Sequence, residues 1–364
     1  MMDFNRLFLF LIFSMSMALL WDAWHRVDAP VISVATPPQA LTTLQKSNIP
    51  VGKLDTNKID ASIASSQQQT LPSQIIKVKT DFLVAEISTL GGDLQQLEFL
   101  QQRDAKDRSK PFMLLQKKTD HTYIAQSGLL GSDLPTHNTM FVSQAIEYAL
   151  IEGKDVLEVR LTARTVAGIK VTKIYLFHRG SYLIDILYEI ENNSINAISP
   201  SAYFQFIRDK SVPEGGTIFV PTFTGPAIYT EADKFEKFDF SEIEKGKIKL
   251  PSNIDNGWIG MLQHYFVAAW LPTGKTEREF YAKALDGGLY STGVVLPVGD
   301  ITPGNIAKIN MPLYVGPAQT SLDEIAPGLG LTVDYGWLTV FSIPLFSLLV
   351  FFYGWVSNWG VAII

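Results

Sequence analysis

Five histidines (His25, His121, His137, His178 and His264) are the side chains best suited to bind a metal or move a proton near neutral pH, and no two stand at metal-ligand spacing. No Ser, His and Asp follow one another in an order that suggests an activated nucleophile. The absence of cysteine excludes disulfides, thiolate metal sites, a cysteine nucleophile and a lipid-modified cysteine. Gly91-Gly92, Gly215-Gly216 and Gly287-Gly288 read as turns, because a phosphate loop needs a strand before it and a helix after it, and the helix is missing at each. Carboxylates are scattered, with nothing to single out a pair spaced for glycoside hydrolysis. His264, within Gln263-His264-Tyr265-Phe266, reads as a strand residue. No catalytic, cofactor-binding or metal-ligating residue is assigned.

Since chemistry gives no foothold, the distribution of charge and hydrophobicity carries the reading. The chain has 364 residues and a net charge of −6, and 18% of its residues are charged where about 25% is usual. The deficit sits at the two ends: Leu7–Trp21 and Tyr335–Ile364 contain no Asp, Glu, Lys or Arg. Without a basic run longer than Lys117-Lys118 there is no footprint for a polyanion, so nucleic acid is excluded as a partner.

At the N-terminus, Leu7–Trp21 extended by Asp22-Ala23-Trp24 reaches about the 17-residue lower limit of a membrane span. Arg6 and the α-amino group bias that end toward the cytoplasm, with Trp21 and Trp24 at an interface. A cleaved secretory signal peptide has the same charged start and apolar middle, but no small-x-small site comes after Leu20, which favours an uncleaved anchor. Either reading exports the residues beyond Trp24. At the other end, Trp337–Val356 is apolar enough to span on hydropathy alone. On a helical wheel, however, Thr339, Ser342, Ser347, Gly354 and Ser357 gather into a weak polar stripe that permits a helix on the membrane surface. Pro344 is expected to start or kink a helix, and Ser357-Asn358-Trp359-Gly360 to break the pattern before a new apolar run.

Between the ends the pattern changes twice. Residues 31–73, rich in Pro, Ser, Thr, Gln and Asn, cannot bury enough apolar surface to offset ordering and read as a tether. From Ile75 the period becomes two: Asp155–Arg164, Ile169–Phe177 and Tyr182–Ile190 alternate in the manner of strands, and Ala167-Gly168 and Arg179-Gly180-Ser181 supply turns. Further strand candidates are Ile76–Ser88, Ile218–Val220, His264–Leu271, Glu279–Ala284, Thr292–Leu296 and Asn305–Tyr314, and Ser321–Ala326 alone suggests a helix. The sum is a large antiparallel β-sandwich over about 75–318. The densely charged stretch Lys234–Lys249 reads as a solvated edge or loop, or as a surface for a partner protein.

Several segments in shared order resemble one family. Met2-Asp3-Phe4-Asn5-Arg6-Leu7 with Trp21-Asp22-Ala23-Trp24 is similar to the first membrane segment of YidC-type bacterial membrane protein insertases. Leu90-Gly91-Gly92-Asp93-Leu94, Gly225-Pro226-Ala227, the run Gly257–Phe266 and Leu313–Pro317 resemble landmarks of that family's periplasmic domain. Val333–Trp337, Pro344-Leu345-Phe346 and Asn358-Trp359-Gly360 resemble the approach to its membrane core.

The resemblance implies a mainly β fold: a mutarotase-like periplasmic β-supersandwich with an N-terminal transmembrane helix and a C-terminal amphipathic or apolar helix. The implied division is a signal anchor at 1–26, a flexible linker at 27–74, the β-domain at 75–320, a helical connector with a membrane-surface helix at 321–357, and the start of a second membrane segment at 358–364. It further implies insertion, folding and assembly of inner-membrane proteins without enzymatic chemistry or cofactor. The implied partners are nascent inner-membrane proteins, Sec translocon components and the lipid bilayer, with the N-terminus cytoplasmic and residues 25–335 periplasmic. Family members hold clients in a groove of five further membrane helices with an arginine in the first, and the sequence to Ile364 is read as ending before that groove. The alternative reading is a membrane-anchored periplasmic protein that binds or modifies carbohydrate, because fold alone does not decide function.

Overall fold

In a computed structural model, residues 49–50, 73–104, 107–211, 223–263, 265–333 and 339–363 are described. All lie in one unit, Lys46–Ile364. The anchor at 1–26, His25, His264, Gly215-Gly216 and the strand candidate Ile218–Val220 fall outside the described residues, as does most of the 27–74 linker. Of that linker Ile49, Pro50, Ser73 and Gln74 are described, and Pro50 is buried.

The strands, in chain order, begin with β1 (Ile75–Lys79), β2 (Leu83–Ser88), β3 (Leu94–Arg103), β4 (Pro111–Lys117), β5 (Thr122–Leu130) and β6 (Phe141–Ser143). They continue with β7 (Glu147–Ala149), β8 (Val156–Ala163), β9 (Ile169–His178), β10 (Leu183–Asn192), β11 (Ser201–Asp209) and β12 (Thr224–Thr230). The last are β13 (Lys234–Lys237), β14 (Trp258–Gln263), β15 (Phe266–Trp270), β16 (Glu279–Ala284), β17 (Leu289–Pro297) and β18 (Ile306–Pro317). Two nine-stranded sheets result, the large antiparallel sandwich expected from the alternating pattern and the β-supersandwich that the resemblance implies. The first runs β16-β17-β11-β5-β4-β3-β2-β1-β7 and the second β13-β12-β14-β15-β18-β10-β9-β8-β6. Neighbours are antiparallel except β1 and β7, which run parallel.

Local patterning explains where each strand sits. Along β10 every second residue is buried, so one face meets the core and the other meets solvent. The outward face carries ion pairs such as Arg160–Glu189 and Lys308–Glu189. In β11 seven consecutive residues are buried, because both of its faces are covered. Between the sheets Phe204, Phe206, Trp270, Tyr188, Ile186 and Leu313 belong to one apolar cluster. Each such side chain contributes about 1.5–3 kcal/mol on burial. The expected single strand Ile76–Ser88 is a hairpin: the Thr80 hydroxyl accepts the backbone N–H groups of Phe82 and Leu83 and turns the chain between β1 and β2.

The charged stretch 234–249 contains the short edge strand β13 and a one-turn helix, Phe240–Glu244, where Asp239 and Glu242 form a capping box. After β18, 3-10 turns at Thr320–Glu324 and Leu329–Thr332 carry Leu322 and Leu329 onto a second apolar cluster that includes Trp258 and Tyr314. The helix expected over Ser321–Ala326 is present as the 3-10 turn Thr320–Glu324.

A helix spans Thr339–Val356 and runs through Pro344. Leu345, Phe346, Leu348, Val350, Phe351 and Trp355 are all exposed, and at 100° per residue they are distributed around the whole helix. At about 1.5 Å per residue its 18 residues measure about 27 Å. Among the described residues no helix is long and apolar enough to cross a membrane. The helix ends at Ser357, whose φ of 48° is left-handed, and Asn358 caps the next helix, Trp359–Ile363, through bonds from Gly360 and Val361 N–H.

Candidate functional site

The turn Gly91-Gly92 begins a polar network that crosses the first sheet. Both glycines have positive φ, and a Cβ on Gly91 would stand 2.4 Å from the His137 carbonyl oxygen, so only glycine fits. The turn is tied to the second sheet by Lys173, whose Nζ donates to Gly91 O at 3.1 Å, and by Tyr175, whose hydroxyl donates to Gly92 O at 2.5 Å. Lys173 Nζ also lies 5.5 and 5.6 Å from the ring centres of Tyr175 and Tyr188.

From this turn Asp93 enters the interior. Its Oδ2 accepts from Gln126 Nε2 at 2.7 Å, while Oδ1 has no hydrogen-bond partner. Gln126 Oε1 accepts from Gln205 Nε2 at 3.1 Å, and Gln205 Oε1 receives Tyr281 at 2.9 Å and Ser291 at 2.8 Å. Burial drives the Asp93 carboxyl upward, against the opposing pull of Lys173, and drives the Lys173 ammonium downward. His137, buried against Tyr203, is lowered to about 4, first by burial and then by the Lys173 charge. Such shifts mark functional sites often enough to demand inspection. Here the groups are turned on one another: Asp93, Lys173, Gln205 and Tyr203 are at most 2% exposed, which leaves no face for a substrate.

An open cleft lies elsewhere, on the outer side of the second sheet, with a volume of about 630 Å³. Tyr229 and Trp258, stacked at 6.2 Å with planes 13° apart, line it together with Leu271, Pro272 and the connector residues Ile325–Pro327. Arg278 holds its walls: its five hydrogen bonds go to the carbonyls of Thr276, Gly257, Pro272, Asp255 and Gly274. The Trp258 indole donates to Pro327 O at 2.9 Å, fastening the connector to β14. Gly328 lies so close to the Tyr229 ring that a Cβ would stand 2.2 Å from it. The lining combines flat apolar walls, a guanidinium already saturated by backbone, and Glu231, Asp255 and Lys275.

The histidines are placed individually. His121 Nδ1 is 2.9 Å from Asp209 and 2.8 Å from Ser211 Oγ, His178 Nε2 is 2.8 Å from Asp185, and His137 sits against Tyr203. Among the described residues no three His, Asp or Glu side chains converge to hold a metal. Gly287-Gly288 closes a turn into β17 with nothing near either glycine. Reading residues by type missed Gln126, Gln205 and Tyr203, since an isolated Gln or Tyr carries no signal until the strands are paired. The neighbouring Gly91-Gly92-Asp93 was the one visible sign.

Residues 75–348 match the family described as YidC periplasmic domain. The whole chain is 47% identical to the membrane protein insertase YidC of Nitrosospira multiformis and 46% identical to that of Nitrosomonas europaea, covering 67% and 63% of those proteins. The chain thus spans about two thirds of the length of the curated relatives it matches. Among solved structures, a galactose mutarotase related enzyme from Lactobacillus acidophilus aligns over 66% of this chain and 97% of its own, with a TM-score of 0.43 and 10% identity. The carbohydrate alternative gains no support from relatives that share the whole chain.

Proposed function

This chain belongs to the YidC family of membrane protein insertases, and from that premise we propose that it is the export-side portion of a non-enzymatic insertase for nascent inner-membrane proteins. The observation that carries the reading is similarity over the entire chain to proteins named insertases. Moving a client's polar segment into lipid is costly because its hydrogen bonds to water are lost, and the complete protein lowers that cost. The residues described here contribute positioning and partner contacts. Asp93, Lys173 and His137 are buried within the fold and present no open face to a substrate, which supports a role without bond-making chemistry.

In this reading residues 1–26 anchor the chain with the N-terminus cytoplasmic, 27–74 tether it, 75–320 form the periplasmic domain, and 358–364 open a further membrane segment. The connector 321–357 lays the Thr339–Val356 helix on the membrane surface. Tyr353, Trp355 and Trp359 cluster at one end, as interfacial residues do. Components of the Sec translocon are partners in the same proposal.

Two measurements test it. Depletion of the full-length protein is expected to leave small inner-membrane proteins uninserted in a protease-protection assay, and unchanged insertion overturns the function. A reporter fused after Ser357 is expected to be periplasmic, and a cytoplasmic reporter overturns the surface helix.

A further inference from the structure

We infer that the inter-sheet face formed by β5, β11 and β17 holds a small oxyanion, of carboxylate or phosphate type, with Arg208 as its principal ligand. Two arginines rank among the largest fully buried side chains. Arg278 has every nitrogen engaged by backbone carbonyls. Arg208 is 0% exposed, yet its Nε and Nη1 have no hydrogen-bond partner, and Nη2 makes one long bond, 3.3 Å, to Ser211 O. Among the described residues the fold saturates one buried guanidinium and leaves the other largely unpartnered.

The surroundings of Arg208 repeat the imbalance. Its cross-strand neighbour on β5 is Tyr123, whose ring centre lies 4.7 Å from the guanidinium carbon and whose hydroxyl has no partner. Strand alternation puts Phe206 on the same face, and Phe206 faces Thr292 of β17, whose hydroxyl is also unpartnered. From the opposite sheet Trp270 stacks on Phe206 at 5.2 Å, and its indole N–H has no acceptor. A guanidinium, two hydroxyls and an indole N–H can all donate, and the guanidinium and indole can only donate. The complement of Arg208 with Tyr123 beside it, and of the donors further along the same face, is a group that only accepts, and an anion gains most beside a charged donor.

The nearby acids do not serve. Asp209 follows Arg208 and so points to the other face, where its carboxylate accepts the N–H groups of Thr122 and Ser211 and faces His121. Tyr290, the neighbour of Arg208 on β17, turns its hydroxyl to Glu244. Burial lowers the affinity of Arg208 for its proton, and a bound anion would reverse that.

The test is thermal unfolding of the full chain in detergent at fixed ionic strength, with chloride replaced stepwise by acetate or by inorganic phosphate. A ligand specific to the folded state raises Tm along a saturating curve. The expected result is a saturating rise of several degrees with at least one oxyanion, absent in Arg208→Met and shifted to higher concentration in Tyr123→Phe and Thr292→Val. If Arg208→Met does not fold, the two hydroxyl deletions carry the comparison. Equal curves in the wild type and in Tyr123→Phe and Thr292→Val, or no rise beyond that in chloride, overturn the site and leave the donors to water.

Discussion

The Tyr203 hydroxyl is bound twice to His137, accepting its backbone N–H at 3.0 Å and lying 2.6 Å from its Nδ1. Burial, and then the Lys173 charge, hold the imidazole in its neutral form, and a neutral ring pairs with a hydroxyl that can both donate and accept. Gly128 makes the approach possible, since a Cβ there would stand 2.6 Å from the same hydroxyl. His137 and Asp93 both feel the Lys173 charge and have opposite preferences, the histidine for its deprotonated form and the carboxyl for its protonated form.

Opposite preferences give opposite pH slopes. His137 falls from 6.5 to about 4 on folding, so over that interval the unfolded chain binds more protons and stability rises with pH. Asp93 rises from 3.8 to about 7, so the folded chain binds more protons and stability falls with pH. Each slope is at most about 1.4 kcal/mol per pH unit, and in the shared window they largely cancel. Lys173, lowered by the same burial, adds a rise only at alkaline pH. Against the wild-type profile in urea between pH 4 and 6.5, the slope of stability with pH is expected to be more positive in Asp93→Asn and more negative in His137→Phe. Three parallel profiles would refute the pairing.

Arg278→Lys should be severe despite conserving charge. Three ammonium donors on a flexible stem cannot reach five carbonyls spread over residues 255–257 and 272–276. All five carbonyls lose their fixed donor, but Asp255, Gly274 and Thr276 are exposed and water replaces part of it, so a loss of about 1–3 kcal/mol is expected in chemical denaturation. A loss below about 0.5 kcal/mol, the range of an ordinary surface substitution, would mean the loops hold themselves.

How far the sequence reaches is clear from β10 and β11. In β10 the alternation of Ile184, Ile186, Tyr188 and Ile190 with polar residues announces a strand with one wet face. In β11 Gln205 is buried by the polar network on one side while Arg208 is buried on the other, so alternation vanishes although the strand is central. The hairpin β1-β2 was hidden for another reason: its turn depends on a Thr80 side chain and not on Gly or Pro. Membership of the candidate site depends on pairs far apart in the chain, such as Gln126 with Gln205, and periodicity carries no information about those.

Gly328 offers a steric test of how the connector docks. Its φ is 76° and a Cβ would stand 2.2 Å from the Tyr229 ring, whereas Gly274 has φ 73° with open space around it. Both substitutions to alanine carry the left-handed backbone cost of about 1–2 kcal/mol, and only Gly328→Ala adds a clash. Hydrogen exchange is expected to quicken at Leu329–Val333 and at the Trp258 indole in Gly328→Ala, and to stay unchanged there in Gly274→Ala. Equal behaviour of the two would mean the connector is not held by that contact.

Gln205 is the joint of the network, because its amide donates to Gln126 and its carbonyl receives both Tyr281 and Ser291. Gln205→Leu keeps similar bulk but leaves three buried groups without their partner, at an expected cost of about 3 kcal/mol. Removing the stranded Tyr281 and Ser291 donors as well relieves most of that cost, since only the Gln126 carbonyl then lacks its partner. Gln205→Leu combined with Tyr281→Phe and Ser291→Ala should therefore be more stable than the sum of the separate losses by about 1–3 kcal/mol. Urea midpoints of the single, double and triple variants measure that coupling. Strict additivity would place the stabilisation in packing around Gln205 and not in its hydrogen bonds.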